Sequence, residues 1–348
     1  MNICVLTYLE SERARKTDIV VDHVSDALRE LGHDVRILAI HGDIDRMLDG
    51  LTNPRPDLVF NLMEMFGKDF FSDYEVAGLL DLIDLPHTGG GPGEIYLQQD
   101  KALSKKILAF EGILYPRFAV FSRDQDLETG GNLRMPLFVK PLRLDASLGI
   151  DGKSLVTDSG ALMRQVLYIH EKVNDSALAE EFIDGREFYV AILGNQDPRV
   201  FPPIELDFSG LPPGTPRIAD RKVKFEKNSP EYKGTRAVIA QVPDETRARL
   251  QKTALAAYRA LRVRDYGRVD LRLTDTGDVY VIEVNASCYL EKESEFAMAA
   301  EADGIGYTEL VRRIVEEAQG RWAKLLQAPR RRRKNSEQRK SNGEQGAK

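Results

Sequence analysis

The stretch from Gly267 to Ser287 constrains the fold of this chain most, because its polar and apolar residues alternate in two runs around a turn. In residues 268–273, Arg and Asp alternate with Val and Leu, which is the period-2 pattern of a half-buried strand. The segment TDTGD follows as a turn. Residues 279–285 return as a second strand, in which the alternation places all odd-numbered residues on one face. The pattern predicts a β-hairpin that carries acids on that face.

The register of this hairpin brings two carboxylates together. If residues 275–278 form the loop, Asp270 lies opposite Glu283 and Arg268 lies opposite Asn285. Directly opposed side chains lie about 4.5–5.5 Å apart at Cβ, and two carboxylates so placed repel one another. Mg²⁺ is typically held by one or two carboxylates together with substrate phosphates. Asp270, Glu283 and Asn285 are therefore candidate metal ligands, although their spacing also fits a solvated hairpin face.

The first third of the chain has the pattern of a small α/β domain. Strands are predicted at Asn2–Thr7, Val35–Ile40 and Asp57–Asn61, and a helix at Asp18–Leu31. Strands that alternate with helices indicate a parallel sheet, which binds ligands beyond the carboxyl ends of its strands. Glu10 and Glu12 follow the first strand and are candidates for binding a substrate ammonium group. Acids in a solvated loop are the other interpretation.

Two further stretches have features of a nucleotide site. A single helix is predicted at residues 94–113, and the strand PLFVK ends at Lys140 before a loop that contains Ser147. A lysine in this position can reach phosphates as a point charge, while the backbone N–H groups of the loop surround them. The motif GxxxxGK[ST] is absent from the sequence.

Residues 177–195 read as a strand, an Asp-Gly turn and a second strand, which predicts another hairpin. An exposed edge of this hairpin could offer backbone donors and acceptors to an adenine. Glu187 begins the second strand, and its carboxylate could accept both hydroxyls of a ribose. The alternative is that these charges are only solvated.

Composition limits the class of protein. At 42% hydrophobic and 30% charged residues, 348 residues predict a soluble protein of two or three domains. No run of 18 apolar residues and no basic leader are present, so neither a membrane span nor a signal peptide is predicted. Cys4 and Cys288 are the only cysteines, which fits a reducing compartment. We therefore expect a cytoplasmic protein, with Cys4 buried in a strand.

The C-terminal residues differ in charge from the rest. Arg330–Lys348 holds eight basic and two acidic residues, so residues 1–329 carry −12 of the total of −6. The stretch has no apolar periodicity and is predicted to be disordered. Such a tail either binds an anionic partner, nucleic acid or lipid, or serves as a solubilising terminus.

Five motifs, in order, resemble the ATP-grasp superfamily and within it the D-alanine:D-alanine ligases and related carboxylate–amine ligases. They are LPHTGGGPGEIYLQQDKALSKKIL, PLFVKP, EEFIDGREFYVAILG, GRVDLRLTDTGDVYVIEVNAS and AAEADGIGYTELVRRIVEEA. The resemblance implies α/β plus α+β architecture, with an N-terminal parallel-sheet domain before a two-part ATP-grasp fold. It implies a substrate domain at 1–95, an ATP-grasp lid subdomain at 96–180 and a C-terminal catalytic subdomain at 181–320. Residues 321–348 are then expected to be the basic disordered tail.

The resemblance also implies the nucleotide contacts. The two lysines of the family that bind phosphates match Lys101 and Lys140, the ribose carboxylate matches Glu187, and Ser147 lies in the loop over the phosphates. The adenine-contacting strand matches Glu180, Glu181, Phe182 and Ile183. The cofactors implied are ATP and Mg²⁺ or Mn²⁺.

The catalytic residues follow in the same way. Arg268 matches the arginine that stabilises the transferring phosphate, and Asp270, Glu283 and Asn285 match the magnesium ligands. Lys224 matches the lysine of the mobile loop, and Ser294 the serine near the carboxylate of the second substrate. The first-loop glutamate matches Glu10 or Glu12, and we assign Glu12.

The sequence departs from the family where substrates bind. Residues 63–75 read MEMFGKDFFSDYE in place of the usual HGxxGEDGxxQ, and the metal asparagine is followed by ASCYLEKESEF in place of Thr-x-Pro-Gly. The resemblance implies an ATP-dependent carboxylate–amine ligase of the D-alanine:D-alanine ligase type, which forms an amide bond through an acyl phosphate and releases ADP and phosphate. A ligase for another amino acid or short peptide, or a non-catalytic nucleotide-binding regulator, stays open, as does a homodimer.

Overall fold

The computed structural model describes residues 1–69, 71–124, 127–129, 132–144, 148–219, 223, 226 and 228–327. Three β-sheets organise these residues, one parallel and two antiparallel. In this part of the chain, no helix combines the length and the apolar character needed to cross a bilayer.

The N-terminal sheet is parallel, as predicted. Its elements are β1 (Asn2–Tyr8), α1 (Ile19–Glu30), β2 (Asp34–Ile40), α2 (Ile44–Thr52) and β3 (Leu58–Leu62), and the strand order is β2-β1-β3. The helix α1 begins where the Asp18 side chain accepts a hydrogen bond from the amide of Val20. Because the three strands run in one direction, the loops after β1 and β3 lie side by side. The helix α3 (Asp73–Leu82) follows this sheet.

Residues 94–113 form two helices, so the prediction of one continuous helix is wrong. The helix α4 (Pro92–Gln99) ends before Asp100, and α5 (Lys101–Phe110) begins after it. The Asp100 side chain accepts a hydrogen bond from the amide of Leu103 at 2.9 Å. The carboxylate thus caps a new helix, which an apolar pattern alone does not reveal.

The second sheet is antiparallel and has the order β5-β4-β8-β6-β7. Its elements are β4 (Phe118–Phe121), β5 (Glu128–Thr129), β6 (Leu137–Pro141), β7 (Leu155–Val156), α6 (Ser159–Tyr168) and β8 (Ala177–Glu181). Residues 169–173 continue α6 as a short π-helix. The strand that ends near Lys140 is thus β6, one of the two neighbours of the central strand β8.

The third sheet is also antiparallel and has the order β12-β11-β9-β13-β14, with β10 beside β9. Its strands are β9 (Arg186–Leu193), β10 (Arg199–Val200), β11 (Ile204–Asp207), β12 (Arg236–Ile239), β13 (Tyr266–Leu273) and β14 (Val279–Asn285). After β11 the chain also forms the helices α7 (Pro230–Lys233), α8 (Asp244–Ala260), α9 (Glu295–Ala302) and α10 (Tyr307–Gln327). The helix α8 packs on one face of this sheet. The helices α9 and α10 share a core with α1 and the N-terminal sheet.

The predicted hairpin at residues 177–195 does not form. Strand β8 pairs with β4 and β6, whereas β9 pairs with β11 and β13, so residues 182–185 cross between two sheets. Gly185 makes this crossing possible: its φ is +146°, and a Cβ there would collide with the carbonyl of Leu273. Because β8 is a central strand, Glu180 and Glu181 do not lie on the exposed edge that was predicted.

The hairpin of β13 and β14 is confirmed where its acids lie. Arg268 pairs with Asn285 and Asp270 with Glu283. Beyond Asp270 the register shifts by one residue, so that Leu271 pairs with Val281 and Ile282 has no residue opposite it. This β-bulge turns Val279 and Val281 into the apolar core, so the prediction that they share a face with Glu283 is wrong.

The last helix is longer than expected. The helix α10 continues to Gln327, and Trp322 within it is buried, so residues 321–327 belong to the fold and not to a disordered tail. Cys4 is buried in β1, as predicted, and Cys288 is also buried; both are free thiols.

Candidate active site

Two lysines share one buried carboxylate where the second and third sheets approach each other. Lys140, on β6, places Nζ 3.1 Å from Oε2 of Glu180 on β8. Lys105, on α5, places Nζ 2.9 Å from Oε1 of Glu180 and donates a hydrogen bond of 2.8 Å to the carbonyl of Ile282. Burial by itself raises the pKa of Glu180, but the two lysines outweigh burial and hold that pKa below its ordinary value. The bulge carbonyl and the carboxylate thus hold Lys105 between the sheets.

Lys101 connects the loop after β6 with the hairpin acids. It begins α5, is buried, and donates a hydrogen bond of 2.9 Å to the carbonyl of Leu144. Its Nζ also lies 3.4 Å from Oε1 of Glu283. Lys101 and Lys140 are therefore both buried near residues of the hairpin or of β8, in the region where the sequence predicts a nucleotide.

Arg268 and Asp270 form a two-pronged ion pair on β13. Arg268 Nε lies 2.7 Å from Oδ1 of Asp270, and Nη2 lies 3.0 Å from Oδ2. The Arg268 guanidinium also lies 4.5 Å from the ring centroid of Tyr189 and 3.6 Å, at Nη1, from Oε2 of Glu295. Burial disfavours the charged form, but Asp270 and Glu295 raise the pKa of Arg268 well above its ordinary value. This cation stays charged in its aromatic and acidic surroundings.

The predicted metal ligands lie together on the hairpin. Asp270 and Glu283 are opposite one another, and their repulsion is offset by Arg268 on one side and Lys101 on the other. Asn285 lies opposite Arg268, two residues along the strands from the pair of acids. Within the described ranges, no group of three or more His, Cys, Asp and Glu side chains could hold a metal. Two carboxylates and an amide oxygen suit an Mg²⁺ ion that takes its other ligands from phosphates.

Glu187 is held from both sides. Its Oε2 accepts hydrogen bonds from Nε and Nη2 of Arg272 at 3.2 and 2.7 Å, and its Oε1 accepts one from the hydroxyl of Tyr189 at 3.1 Å. Glu187 and Arg272 are opposite each other across β9 and β13. Both residues are buried, so the interpretation of Glu187 as a solvated acid does not hold.

The segment after β8 lies against the same arginine. The carbonyl of Ile183 accepts a hydrogen bond from Nη1 of Arg272 at 3.0 Å, and the Phe182 ring centroid lies 5.0 Å from the guanidinium. Glu181 Oε1 accepts a hydrogen bond from the amide of Arg134. The four predicted adenine-contacting residues therefore differ in their surroundings. Glu180 is buried between two lysines and Glu181 bonds to a backbone amide, whereas Phe182 and Ile183 contact Arg272, the partner of Glu187.

The predicted substrate residues are less closely gathered. Glu10 and Glu12 are exposed in the loop after β1. Ser294 precedes α9 and is buried, and its Oγ finds no hydrogen-bond partner among the described residues. Ser147 and Lys224 lie outside the described residues.

A narrow cleft separates the N-terminal sheet from the segment that follows β14. The residues that line it are Thr7, Tyr8, Asp18, Val20, Asn61, Leu62, Glu64, Tyr266 and residues 287–290. The hydroxyl of Tyr8 lies 3.2 Å from Oε2 of Glu64, and the hydroxyl of Tyr289 donates a hydrogen bond of 2.6 Å to Asp18. Burial and these carboxylates raise the pKa of both tyrosines, which therefore stay neutral. The cleft begins two residues after Asn285.

Sequence reasoning missed three residues of this site. Lys105 is four residues from Lys101 on a helix, a spacing that puts both side chains on one face. Arg272 continues the alternation of Arg268 and Asp270, so its position facing the site could be read from the pattern. Tyr189, which links Glu187 to Arg268, lies on another strand of the sheet, and no local signal marks its role.

Comparison with known proteins points to one family. Residues 107–316 match the family model described as D-ala D-ala ligase C-terminus. An uncharacterised protein of Sinorhizobium fredii is 30% identical over 308 residues, covering 87% of this chain and 88% of that protein. The chain belongs to the D-alanine:D-alanine ligase family. The predicted ATP-grasp resemblance and fold class are thereby confirmed.

Two proteins of the family, both called D-alanine–D-alanine ligase, show how far the likeness extends. That of Syntrophotalea carbinolica is 32% identical over 294 residues, covering 84% of this chain and 88% of the relative. The crystal structure of the Bacillus anthracis protein complexed with ATP superimposes with a TM-score of 0.74 at 23% identity, covering 93% of this chain and 99% of that one. The second likeness supports the fold of the family over nearly the full length of both chains.

Proposed function

We propose that this member of the D-alanine:D-alanine ligase family is an ATP-dependent carboxylate–amine ligase. A carboxylate oxygen of one substrate takes the γ-phosphoryl group of ATP, which releases ADP and forms an acyl phosphate. The nitrogen of an amine then attacks the acyl carbon, the bond from that carbon to the phosphate oxygen breaks, and the nitrogen loses a proton. The products are an amide, ADP and phosphate. The observation that carries this proposal is the pairing of Asp270 with Glu283 between two cations, the half-buried Arg268 and the buried Lys101.

The nucleotide would lie where the second and third sheets meet. In this proposal Lys101 and Lys140 would neutralise phosphate oxygens, and Glu187 would accept a hydrogen bond from the ribose. Backbone atoms of Phe182 and Ile183 would border the adenine, because this segment leaves β8 and lies beside Glu187. Ser147 and Lys224 are proposed to cover the phosphates. Phosphoryl transfer depends mainly on positioning and on neutralising charge, which this set of cations can supply.

Mg²⁺ is the metal that the donor set of the hairpin fits. Asp270, Glu283 and Asn285 would hold it, and when bound it would neutralise the phosphates and orient them for transfer. Arg268, already fixed by Asp270 and by the Tyr189 ring, would stabilise the negative charge that develops on the transferred group and on the tetrahedral intermediate.

The substrate is proposed to be more polar than D-alanine. Asp18 and Glu64 line the cleft beside residues 287–290, and two tyrosine hydroxyls bond to them. A carboxylate can accept more than one hydrogen bond, so a polar side chain could bond to these acids whereas a methyl group could not, at a cost of about 1–3 kcal/mol for each buried bond forgone. Glu12 is proposed to bind a substrate ammonium group and Ser294 a carboxylate. We therefore expect weak use of D-alanine and better use of an amino acid or short peptide with charged or hydrogen-bonding groups.

The setting of the reaction is part of the same proposal. ATP and amino acids are cytoplasmic metabolites, and the two buried cysteines are free thiols, so we place the protein in the cytoplasm. The basic C-terminal stretch is proposed either to bind an anionic partner or to act as a solubilising terminus.

A screen of phosphate release tests the proposal. The protein is incubated with ATP, Mg²⁺ and single or paired D- and L-amino acids and dipeptides. Release that depends on an added substrate, with an amide product found by mass spectrometry, supports the ligase. Rapid release with D-alanine alone, giving D-alanyl-D-alanine, would show that the polar cleft does not set the substrate. Nucleotide binding without release under any condition would favour a non-catalytic regulator.

A further inference from the structure

Arg272 makes more contacts with the proposed nucleotide site than any role in the reaction above requires. Its guanidinium is buried, with the residue only 5% exposed. Nε and Nη2 donate to Oε2 of Glu187, Nη1 donates to the carbonyl of Ile183, and Nη2 also donates to the carbonyl of Arg217. The Phe182 ring lies over the same guanidinium. Four hydrogen bonds and one cation–π contact thus converge on a single side chain.

These partners come from three separate parts of the chain. Glu187 belongs to β9 in the third sheet, whereas Phe182 and Ile183 belong to the crossing segment that leaves β8 of the second sheet. Arg217 lies in the stretch between β11 and α7. The planar guanidinium has donors at fixed angles, so satisfying all of them fixes the positions of its partners relative to one another.

The bonds of Arg272 also determine which oxygen of Glu187 can meet a ligand. Oε2 takes two N–H groups from Arg272, and a carboxylate oxygen has about two lone-pair sites. Oε1 takes one hydrogen bond, from the Tyr189 hydroxyl, and keeps one site. Glu187 is therefore oriented so that Oε1 is the oxygen left for a ribose hydroxyl.

We propose that Arg272 is a positioning residue of the nucleotide site, which fixes the ribose carboxylate Glu187 and the adenine-bordering segment 182–183 as one unit. This inference rests on the proposed function insofar as the ligand is ATP. It requires no contact between Arg272 and the reacting atoms. Without the guanidinium, the side chain of Glu187 could rotate, and the segment 182–183 would lose the hydrogen bond that connects it to β13.

The experiment compares nucleotide binding by four proteins: the wild type, Arg272→Met, Arg272→Lys and the control Arg186→Met. Arg186 forms a two-pronged ion pair with Glu205 in the same sheet, at 2.7 and 2.6 Å. It precedes Glu187 on β9, so its side chain projects from the opposite face. Calorimetry gives the Kd for ATP, 2′-deoxy-ATP and 3′-deoxy-ATP with Mg²⁺ present, and thermal unfolding shows whether each variant is folded.

We expect Arg272→Met to raise the Kd for ATP about tenfold or more, because the removed hydrogen bonds involve a charged pair. The preference for ATP over the deoxy analogues should fall towards one, since Glu187 no longer presents Oε1 in a fixed direction. Arg272→Lys should bind ATP more tightly than Arg272→Met because it keeps the positive charge. It should still lack the preference for the ribose hydroxyls, because an ammonium group does not have the planar, two-pronged donor geometry of a guanidinium. Arg186→Met should bind all three nucleotides like the wild type.

An ATP affinity of Arg272→Met within about twofold of the wild type would overturn the inference, as would an unchanged ribose preference. An equal loss in Arg186→Met would show that any ion-paired arginine of the sheet has this effect, and would overturn the inference too. If Arg272→Met does not fold, the test rests on Arg272→Lys: a wild-type preference for ATP over the deoxy analogues in that variant would overturn the inference. Wild-type protein that binds ATP but releases no phosphate with any substrate contradicts the ligase proposal alone, while failure to bind ATP contradicts both.

Discussion

Two groups of charged residues lie along β13, one just before its first residue and one within it, and they are built differently. Just before the strand, Asp265 is fully buried and accepts hydrogen bonds from Gly89, Asn195 and Arg321, residues from three distant elements. Within the strand, Arg268, Asp270 and Arg272 form ion pairs along the face that borders the proposed nucleotide site.

In the first group the charged residues bond to one another and to nearby protein groups, whereas in the second group a metal and phosphates would share the same partners. Arg321 of α10 also donates to the carbonyl of His87, and so does the indole N–H of Trp322. We call Asp265, Arg321 and His87 the Asp265 junction, and it connects α10 to the N-terminal sheet. Around Arg268, the same few cations neutralise acids that a metal and phosphates would also contact. We infer that the junction contributes mainly to stability, whereas the site residues contribute mainly to turnover. Ion pairs of similar length can thus have different roles, depending on whether a ligand would share their partners.

The largest effect should come from removing two proposed metal ligands. We expect Glu283→Gln combined with Asn285→Ala to lower Mg²⁺-dependent phosphate release by at least about 100- to 1000-fold, comparable to the loss of a main electrostatic stabiliser. The free energy of unfolding without ligands should change little, because the relief of the repulsion between Asp270 and Glu283 is offset by the loss of the attraction between Glu283 and Lys101. Turnover and denaturant unfolding are measured on the same preparation. Near-wild-type activity at saturating Mg²⁺ would rule out these residues as ligands.

A substitution in the Asp265 junction should lower stability and leave turnover nearly unchanged. Arg321→Met leaves Asp265 buried with one cation removed, and breaking a buried pair in this way costs about 3–5 kcal/mol of unfolding free energy. The kcat of the protein that remains folded should change by less than about threefold, because Arg321 lies outside the proposed site. Chemical denaturation gives the first quantity and an active-site-normalised assay the second. A folded, stable variant with greatly reduced kcat would contradict the division of roles.

The junction should also be sensitive to acid. Burial, and after it the charges of Arg321 and Arg264, lower the pKa of His87 to about 3. The unfolded chain therefore binds more protons than the folded one between the ordinary pKa of His and about 3, so stability is lost as the pH falls through that window.

Between pH 7 and pH 5 this residue should account for a loss of about 2 kcal/mol of unfolding free energy. His87→Gln should remove that part of the pH dependence, whatever its effect at pH 7. Urea unfolding of both proteins at the two pH values checks this. Equal losses in both would mean that His87 is not buried as a neutral group.

The smallest effect is expected from the C-terminal stretch. Deletion of residues 330–348 should leave turnover and unfolding free energy unaltered, because α10 ends at Gln327 and every proposed site residue precedes Glu295. Phosphate release is compared at low and high salt. Activity lost at low salt only would indicate that the basic stretch attracts an anionic substrate or partner.

Much of the fold could be predicted because its patterns are local. The alternation in β13 and β14 gave the pairing of Asp270 with Glu283, and the apolar runs of the first 61 residues gave the parallel sheet. The errors came from features with no periodic signal. A capping carboxylate at Asp100 divides one apparent helix, and the bulge at Ile282 reverses which residues of β14 face the core.

The residues of the site show the same limit. Alternation put Arg272 on the face of Asp270, yet its link to Ile183 depends on the chain crossing from one sheet to another. Glu180 looked like a solvated strand end, but two lysines that lie 40 and 75 positions away from it hold it in the interior. Such contacts join residues that are remote in sequence, so no window of the sequence contains them.

The sequence alone determined several of the strands and helices, which acids of the hairpin are opposed, and which family the motifs resemble. Those properties follow from side-chain period, turn chemistry and short-range pairing. Only the tertiary structure decided that β8 and β9 belong to different sheets, that Arg272 holds Glu187, and that Asp265 joins α10 to the N-terminal sheet. Each of these depends on burial, which makes an unpaired charge costly and so selects distant partners that local patterns cannot specify.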